Sequence, residues 1–258
     1  MKLAIISDIH ANLPALEEVL NGIDSQKVNA IYCLGDLVNQ NVWNNEVVEL
    51  IRKRKISTIK GNHDAGIGEG KHFFPFSYTF TEAKQWGKEA IEYTLSHITD
   101  DNRNFLSALP MRLRLKITGN DGTSFTIVLT HGTPKGINER MYHFSPKKDF
   151  AELLKLADAD MLIMGNTHAP YHHIIPVEEN GNVTNRHVLN PGSVGKPKDG
   201  DWRPSYVLLT IDSNKPLLTD PEAVQVDFYR IKYDLGKAVK AIKNSGLPVY
   251  YGGCLITG

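Results

Sequence analysis

The chain has 258 residues, of which 41% are hydrophobic and 22% charged, with 29 basic side chains against 29 acidic ones. This composition suits a globular protein with enough chain for one large domain and a sizeable core. A formal net charge of +0 offers no basic excess for nucleic acid or an anionic membrane surface, and two cysteines, Cys33 and Cys254, make neither a disulfide framework nor a zinc knuckle.

The opening residues carry one lysine and a brief apolar stretch broken by Ser7 and Asp8, too short for a signal peptide or a spanning helix, so the cytoplasm is the expected compartment. Residues 3–7 read as a strand. Ala15, Leu16, Val19, Leu20 and Ile23 then recur at helical spacing, with Asn12 and Pro14 as a start signal. A strand over 30–34, a helix over 44–54 and a strand over 56–60 follow, and such alternation predicts a parallel sheet with right-handed crossovers. Beyond Asp64 the pattern breaks. Residues 65–80 are rich in glycine and aromatics, including Phe73, Phe74, Phe76, Tyr78 and Phe80, and 81–97 and 100–108 read as helices. The segment 65–109 is either a cap-like insertion near the site or a pair of ordinary packing helices. The aromatics suit a hydrophobic plug beneath it better than a nucleobase stack.

From Met111, apolar and polar residues alternate up to an Asn120-Asp121-Gly122 turn, and 124–130 returns, predicting an antiparallel hairpin with one wet face. A helix over 147–157, a strand over 161–165, strands near 171–177, 183–189, 205–212 and 223–230, and a helix near 235–244 complete the chain. The sum is a single α/β domain over 1–258, a four-layer α-β-β-α sandwich of two packed mixed sheets with a small helical insertion.

Five short segments at the ends of these strands hold most of the candidate metal ligands. They are Asp8-Ile9-His10, Gly35-Asp36, Gly61-Asn62-His63-Asp64, His131-Gly132 and Gly165-Asn166-Thr167-His168. Ligand crevices of open α/β sheets lie at the carboxyl ends of strands, so the topology brings these residues together. On a regular strand Asp8 and His10 point the same way and grip one ion. Asp36 has two oxygens with which to bridge two ions, Asn62 offers a neutral amide oxygen, and His131 and His168 add imidazoles. Mixed nitrogen and oxygen donors suit Mn, Fe or Zn better than Ca, and two such ions about 3.5–4 Å apart clamp a phosphoryl group and hold a bridging hydroxide. Taken singly, each segment is an ordinary turn or loop pair; the joint pattern points to a metal site.

In this order the five segments resemble the calcineurin-like metallophosphoesterases, in particular the compact prokaryotic subgroup that includes diadenosine polyphosphate hydrolases, phosphodiesterases and some protein phosphatases. The resemblance extends through Ser7 to Leu16, Asn190-Pro191-Gly192-Ser193-Val194-Gly195, and Tyr233-Asp234 to Gly246-Leu247-Pro248. It implies one ion on Asp8, His10, Asp36 and His168, and a second on Asp36, Asn62, His131 and Asn166. It further implies that His63, oriented by Asp64, is the general acid or phosphate-stabilising group. The usual Gly-His-x-His is here Gly165-Asn166-Thr167-His168, which exchanges an imidazole of the second ion for a weaker amide oxygen; Ala11 stands where glycine is common.

The expected activity is hydrolysis of a phosphoester or phosphoanhydride by a metal-bound hydroxide, on a small phosphorylated substrate such as a phosphodiester or dinucleoside polyphosphate. A Ser/Thr protein phosphatase, and a catalytically impaired protein that binds a phosphorylated ligand, are the alternatives. Asn12, His143, Ser193 and Arg203 are candidate substrate contacts. His72, His97, His172, His173 and His187 have no motif support, and Lys196 reads as a solvated surface cation.

Overall fold

The computed structural model describes residues 1–74, 81–179 and 181–258. Two five-stranded sheets form its centre. The first runs β10-β9-β1-β2-β3, built from β1 (Lys2–Ile6), β2 (Ala30–Cys33), β3 (Ser57–Thr58), β9 (Ser205–Ile211) and β10 (Val224–Arg230). The second runs β4-β5-β6-β8-β7, built from β4 (Arg112–Thr118), β5 (Ser124–Thr130), β6 (Met161–Met164), β7 (Tyr171–Glu179) and β8 (Asn182–Asn190). Both are mixed. β1 pairs parallel with β2 and antiparallel with β9, and β6 pairs parallel with both β5 and β8.

Side-chain alternation on β1 explains the layering. Leu3 and Ile5 join Phe125, Ile127, Leu129, Met161 and Ile163 in a core between the sheets. Ala4 and Ile6 point the other way, into a core shared with α1 (Leu13–Asp24) and α2 (Asn44–Lys53). On the outer face of the second sheet, Val128, Leu162 and Met164 pack against Phe150, Leu153 and Leu154 of α6 (Lys147–Ala157). Strands covered on both faces read as continuous apolar runs, which is why β1 and β6 lack polar alternation. The expected four-layer sandwich is the fold.

Helix starts follow the sequence signals. Asn12 Oδ1 accepts from Ala15 N with Pro14 in the first turn of α1. Asp234 accepts from Lys237 N at the start of α7 (Leu235–Lys243), and Thr99 accepts from Asn102 N at the start of α5 (Asp100–Ala108). β3 is shorter than expected because Lys60 N turns away from the sheet to bond Pro110 O at 2.8 Å. Two helices were not expected: α3 (Asn62–Gly68) and α8 (Tyr250–Thr257).

Within the 65–109 segment, α4 (Thr81–His97) and α5 pack on the body. Ile91 and Leu106 complete the α1–α2 core, and Ala90 faces Ala238, Ile242, Tyr251 and Leu255 of α7 and α8. Phe74 is buried in the first of these cores; Phe76, Tyr78 and Phe80 lie outside the described residues. No helix of the described residues is long and apolar enough to cross a membrane.

Candidate metal centre

The strand-end loops interlock before any side chain is considered. Asp8 N bonds Gly35 O, His10 N bonds Asp36 O and Ala11 N bonds Leu37 O at 2.8–3.0 Å, so the loops after β1 and β2 run on as a pair. Asp8 and His10 lie past the regular strand, not on it as expected. Both have left-handed backbone, as do Ala11, Asp36, Asn39, Gln40, Asn166 and His168. Left-handed conformations cost non-glycine residues about 1–3 kcal/mol each and persist where surrounding contacts impose them, often at functional sites. Close approach is built in as well: a Cβ on Gly61 would overlap the Asp36 carboxylate.

Asp64 fastens these loops. Its carboxylate accepts hydrogen bonds from Asp36 N at 2.7 Å, Leu37 N at 2.8 Å and Gly61 N at 2.9 Å. The last bond closes the first turn of α3. The family resemblance implies that Asp64 orients His63; its carboxylate oxygens instead hold backbone, and Asn39 takes the imidazole, its Nδ2 lying 3.0 Å from His63 Nδ1. Asn39 Oδ1 accepts from Gln40 N and Thr94 Oγ1, so the amide must offer its NH2 to the ring. His63 Nδ1 is therefore the acceptor, and the proton sits on Nε2, which faces Asp36.

Asp36 Oδ2 lies at the middle of the cluster, 3.4 Å from His131 Nε2, 3.7 Å from His10 Nε2 and 3.9 Å from His63 Nε2. Its other oxygen accepts from His63 N. Asp8 Oδ1 is 3.2 Å from His168 Nε2, and Asp8 Oδ2 accepts from Ser7 Oγ and Asn166 N. Asn62 Oδ1 stands 3.0 Å from His131 Nε2. All these residues are buried. Three groupings bring their ligand atoms within 4.8 Å of one another: Asp8 with His10 and His168, Asp36 with His10 and His63, and Asp8 with Asp36 and His131.

The donor set fits divalent cations. His131 Nδ1 bonds Leu34 O and His168 Nδ1 bonds Lys196 O, so both rings turn Nε2 inward, the nitrogen a cation would take. His10 Nε2 and His168 Nε2 face each other at 3.2 Å, and Asp8 Oδ1 is buried without a hydrogen bond. A cation between these atoms relieves both conflicts. Burial pushes the Asp36 carboxyl up, but His131 and His63 outweigh it and hold it well below the usual carboxylate range. Burial pushes His63 down to about 4 and His10 well down, whereas Asp36 outweighs burial at His131 and raises it to about 9. Two ionised carboxylates thus draw positive charge into a buried space.

Above the cluster opens a cleft of about 530 Å³. It is lined by His10, Asp36, His63 and His168 of the cluster and by Arg140, Lys198, Tyr142, Phe144, Tyr250 and Cys254. Among the expected substrate contacts, only His143 lines it. Asn12 is wholly buried and spends its amide on Gly195 O and Tyr233 Oη. Ser193 Oγ donates to Asp8 O and accepts from Lys196 N, supporting the metal loop from beneath. Arg203 is engaged by Asp201, apart from the cleft. Lys196 is buried rather than solvated, its ammonium donating to Gln40 Oε1 and lying 5.0 Å from the Tyr251 ring centre. Asn39, Gln40 and Arg140 escaped the sequence reading because none belongs to a motif.

Residues 1–214 match the family model described as the calcineurin-like phosphoesterase superfamily domain. An uncharacterised protein of Methanocaldococcus jannaschii is 31% identical over 99% of this chain and 98% of its own length. The phosphodiesterase YfcE of Escherichia coli is 25% identical over 82% of this chain and 89% of its own. Among solved structures, a metallophosphoesterase from Sphaerobacter thermophilus matches with TM-score 0.72 at 29% identity, covering 100% of this chain and 99% of that one.

Proposed function

The chain belongs to the calcineurin-like phosphoesterase superfamily, whose chemistry is metal-dependent hydrolysis of phosphoesters, and on that premise we propose that it cleaves a phosphodiester or phosphoanhydride of a small molecule, dinucleoside polyphosphates included. The observation that carries this reading is the position of Asp36 Oδ2 among three inward-facing imidazoles, with Asp8 and His168 alongside. We assign Asp8, His10, Asp36 and His168 to one divalent ion and Asp36, Asn62, His131 and Asn166 to another, with Mn, Fe or Zn as the metals these donors suit. When bound, such ions offset charge on phosphoryl oxygens and make water nucleophilic at neutral pH.

The chain's own groups do the rest. Leu34 and Lys196 carbonyls aim His131 and His168 at the ions. His63 presents Nε2–H to a phosphoryl or leaving oxygen, held by Asn39. Asp64 keeps the Asp36 and Gly61 loops in register so that Asp36 and His63 stay opposed. The cleft suits a small ester better than a folded protein substrate: Tyr142 and Phe144 stack in parallel at its mouth, 5.3 Å between centres, and offer a flat face to a planar ring. We read 1–258 as one domain, the 65–109 segment buttressing the cleft where Trp86 stacks on Tyr250. Two cysteines without a disulfide suit the cytoplasm.

The test is elemental analysis of the purified protein together with turnover of phosphomonoesters, diesters and dinucleoside polyphosphates. Wild type is expected to carry transition metal and to hydrolyse diesters or anhydrides. Asp36→Asn should lose activity and most of its metal. Near-normal turnover with full metal content in that variant would overturn the central role of Asp36.

A further inference from the structure

We propose that Arg140 and Lys198 form a second anion subsite beside the metal cluster, and that Asn166 is the positioning residue that sets Arg140 over it. The proposal rests on the phosphoester reading, in that the subsite takes a further phosphoryl group of the same substrate.

The first observation is unspent charge. Of nine arginines, seven pair with an aspartate: Arg52, Arg54, Arg103, Arg114, Arg186, Arg203 and Arg230. The other two, Arg112 and Arg140, have no hydrogen-bonding or ion-pairing side-chain partner among the described residues, and of these only Arg140 lines the cleft with Asp36 and His168. Lys198, which lines the same cleft close enough for Arg140 to act on its charge, likewise has none for its side-chain nitrogen, whereas its neighbour Lys196 is engaged by Gln40 and Tyr251. With ions bound, the phosphoryl group under attack would be met by them and by His63. Arg140, and Lys198, whose amine burial and the nearby Lys196 push down to about 7, have no task on a substrate with one negative charge. They match a second phosphoryl group, to which a guanidinium presents two parallel donors.

The second observation is how Arg140 is held. Asn166 Nδ2 donates to Ile137 O at 3.3 Å and Glu139 O at 3.2 Å, and Tyr171 Oη donates to Met141 O at 2.9 Å. The carbonyls on either side of Arg140 are thereby fixed. Ile137 O and Glu139 O are both acceptors, so the side chain at 166 must supply two hydrogens. A neutral imidazole has one N–H and a carboxylate has none; an amide supplies both and still turns its oxygen the other way. That accounts for asparagine where the Gly-His-x-His pattern of the resembled family has histidine.

The experiment compares p-nitrophenyl esters of thymidine 5′-monophosphate and thymidine 5′-triphosphate, which share a leaving group and differ in charge. Wild type should favour the triphosphate ester in kcat/KM. Arg140→Gln should shrink that preference about 10- to 100-fold, mainly through KM, the usual worth of a charge-assisted hydrogen bond. Arg140→Lys should restore part of it. Asn166→Asp should shrink the preference in the same direction while metal content stays at or above the wild-type level, and the double variant Asn166→Asp/Arg140→Gln should add nothing to Arg140→Gln alone. A preference untouched by Arg140→Gln overturns the subsite. Equal losses on both esters in Asn166→Asp, or loss of metal there, overturn the positioning role. If wild type cleaves neither ester, the phosphoester reading fails by itself. The subsite is then judged by calorimetry of thymidine mono- and triphosphate on metal-free protein: tighter triphosphate binding abolished by Arg140→Gln supports it, and equal binding of the two nucleotides overturns it.

Discussion

His63 shows how one hydrogen bond decides a role. Because Asn39 donates to Nδ1, His63 is neutral with its proton on Nε2, and burial keeps it neutral at physiological pH. A neutral Nε2–H is a hydrogen-bond donor to a phosphoryl oxygen rather than a strong acid. His63→Ala is therefore expected to slow good and poor leaving groups alike. Asn39→Leu, which frees the tautomer, should lower kcat by about tenfold with metal content unchanged. Stopped assays on a series of aryl phosphodiesters, with elemental analysis of each variant, check both; a loss confined to poor leaving groups would restore the general-acid role. At this scale the strand-end motifs already group Asp8, His10, Asp36, Asn62, His63, His131 and His168, which the fold brings together. The sequence was silent on Asn39 and Arg140. Each matters through a partner distant in sequence: His63 lies 24 residues from Asn39, and Asn166 holds carbonyls beside Arg140 that lie 27 and 29 residues before it.

Among the elements, strands and long helices follow the apolar periodicity closely, and the exceptions have local causes. The Gly61-Asn62-His63-Asp64 run consists of turn formers, yet the Asp64 carboxylate on Gly61 N starts a helix there. The Tyr250–Thr257 segment contains Gly252 and Gly253, which disfavour helix; packing of Tyr251 and Leu255 against α7 overrides propensity. The β7–β8 hairpin carries a titratable device of its own. His172 Nε2 and His187 Nδ1 are 3.0 Å apart with rings stacked, and burial pushes both down to about 4. Between that value and the ordinary histidine value near 6.5 the unfolded chain binds more protons than the folded one. Their contribution is complete above pH 6.5 and drains away as pH falls toward 4. Urea midpoints should decline across that window, and His187→Gln should flatten the decline. An identical pH slope in the variant would assign the effect to other groups.

For the whole molecule, the two sheets each supply part of the site. Asp8, Asp36, Asn62 and His63 follow strands of the first; His131, Asn166 and His168 follow strands of the second. A cation held by both sets, as proposed, would stabilise the packed state. At about 100 times its dissociation constant a bound ion adds about 2.7 kcal/mol, and about 2–4 °C per kcal/mol is usual for a domain of this size, so chelation should lower Tm by about 5–10 °C. Scanning calorimetry with Mn and with EDTA measures it; coincident transitions in a protein shown to bind Mn would mean that the ion does not join the sheets. The packing of those sheets was legible because strands covered on both faces are uninterruptedly apolar, whereas strand order was not, since nothing local in β1 names β9 as its neighbour. That pairing has a consequence for biogenesis. Leu3 opposes Ala30 on one side and Leu209 on the other. Synthesis delivers the first partner early and the second only after every ligand of the cluster has left the ribosome. For most of translation β1 is an edge strand with an open hydrogen-bonding flank, and the loop bearing Asp8 and His10 hangs from it. Folding of this chain is thus dominated by a late, long-range closure, the kind of topology that is slow to fold and exposed to wrong partners until its last strands arrive.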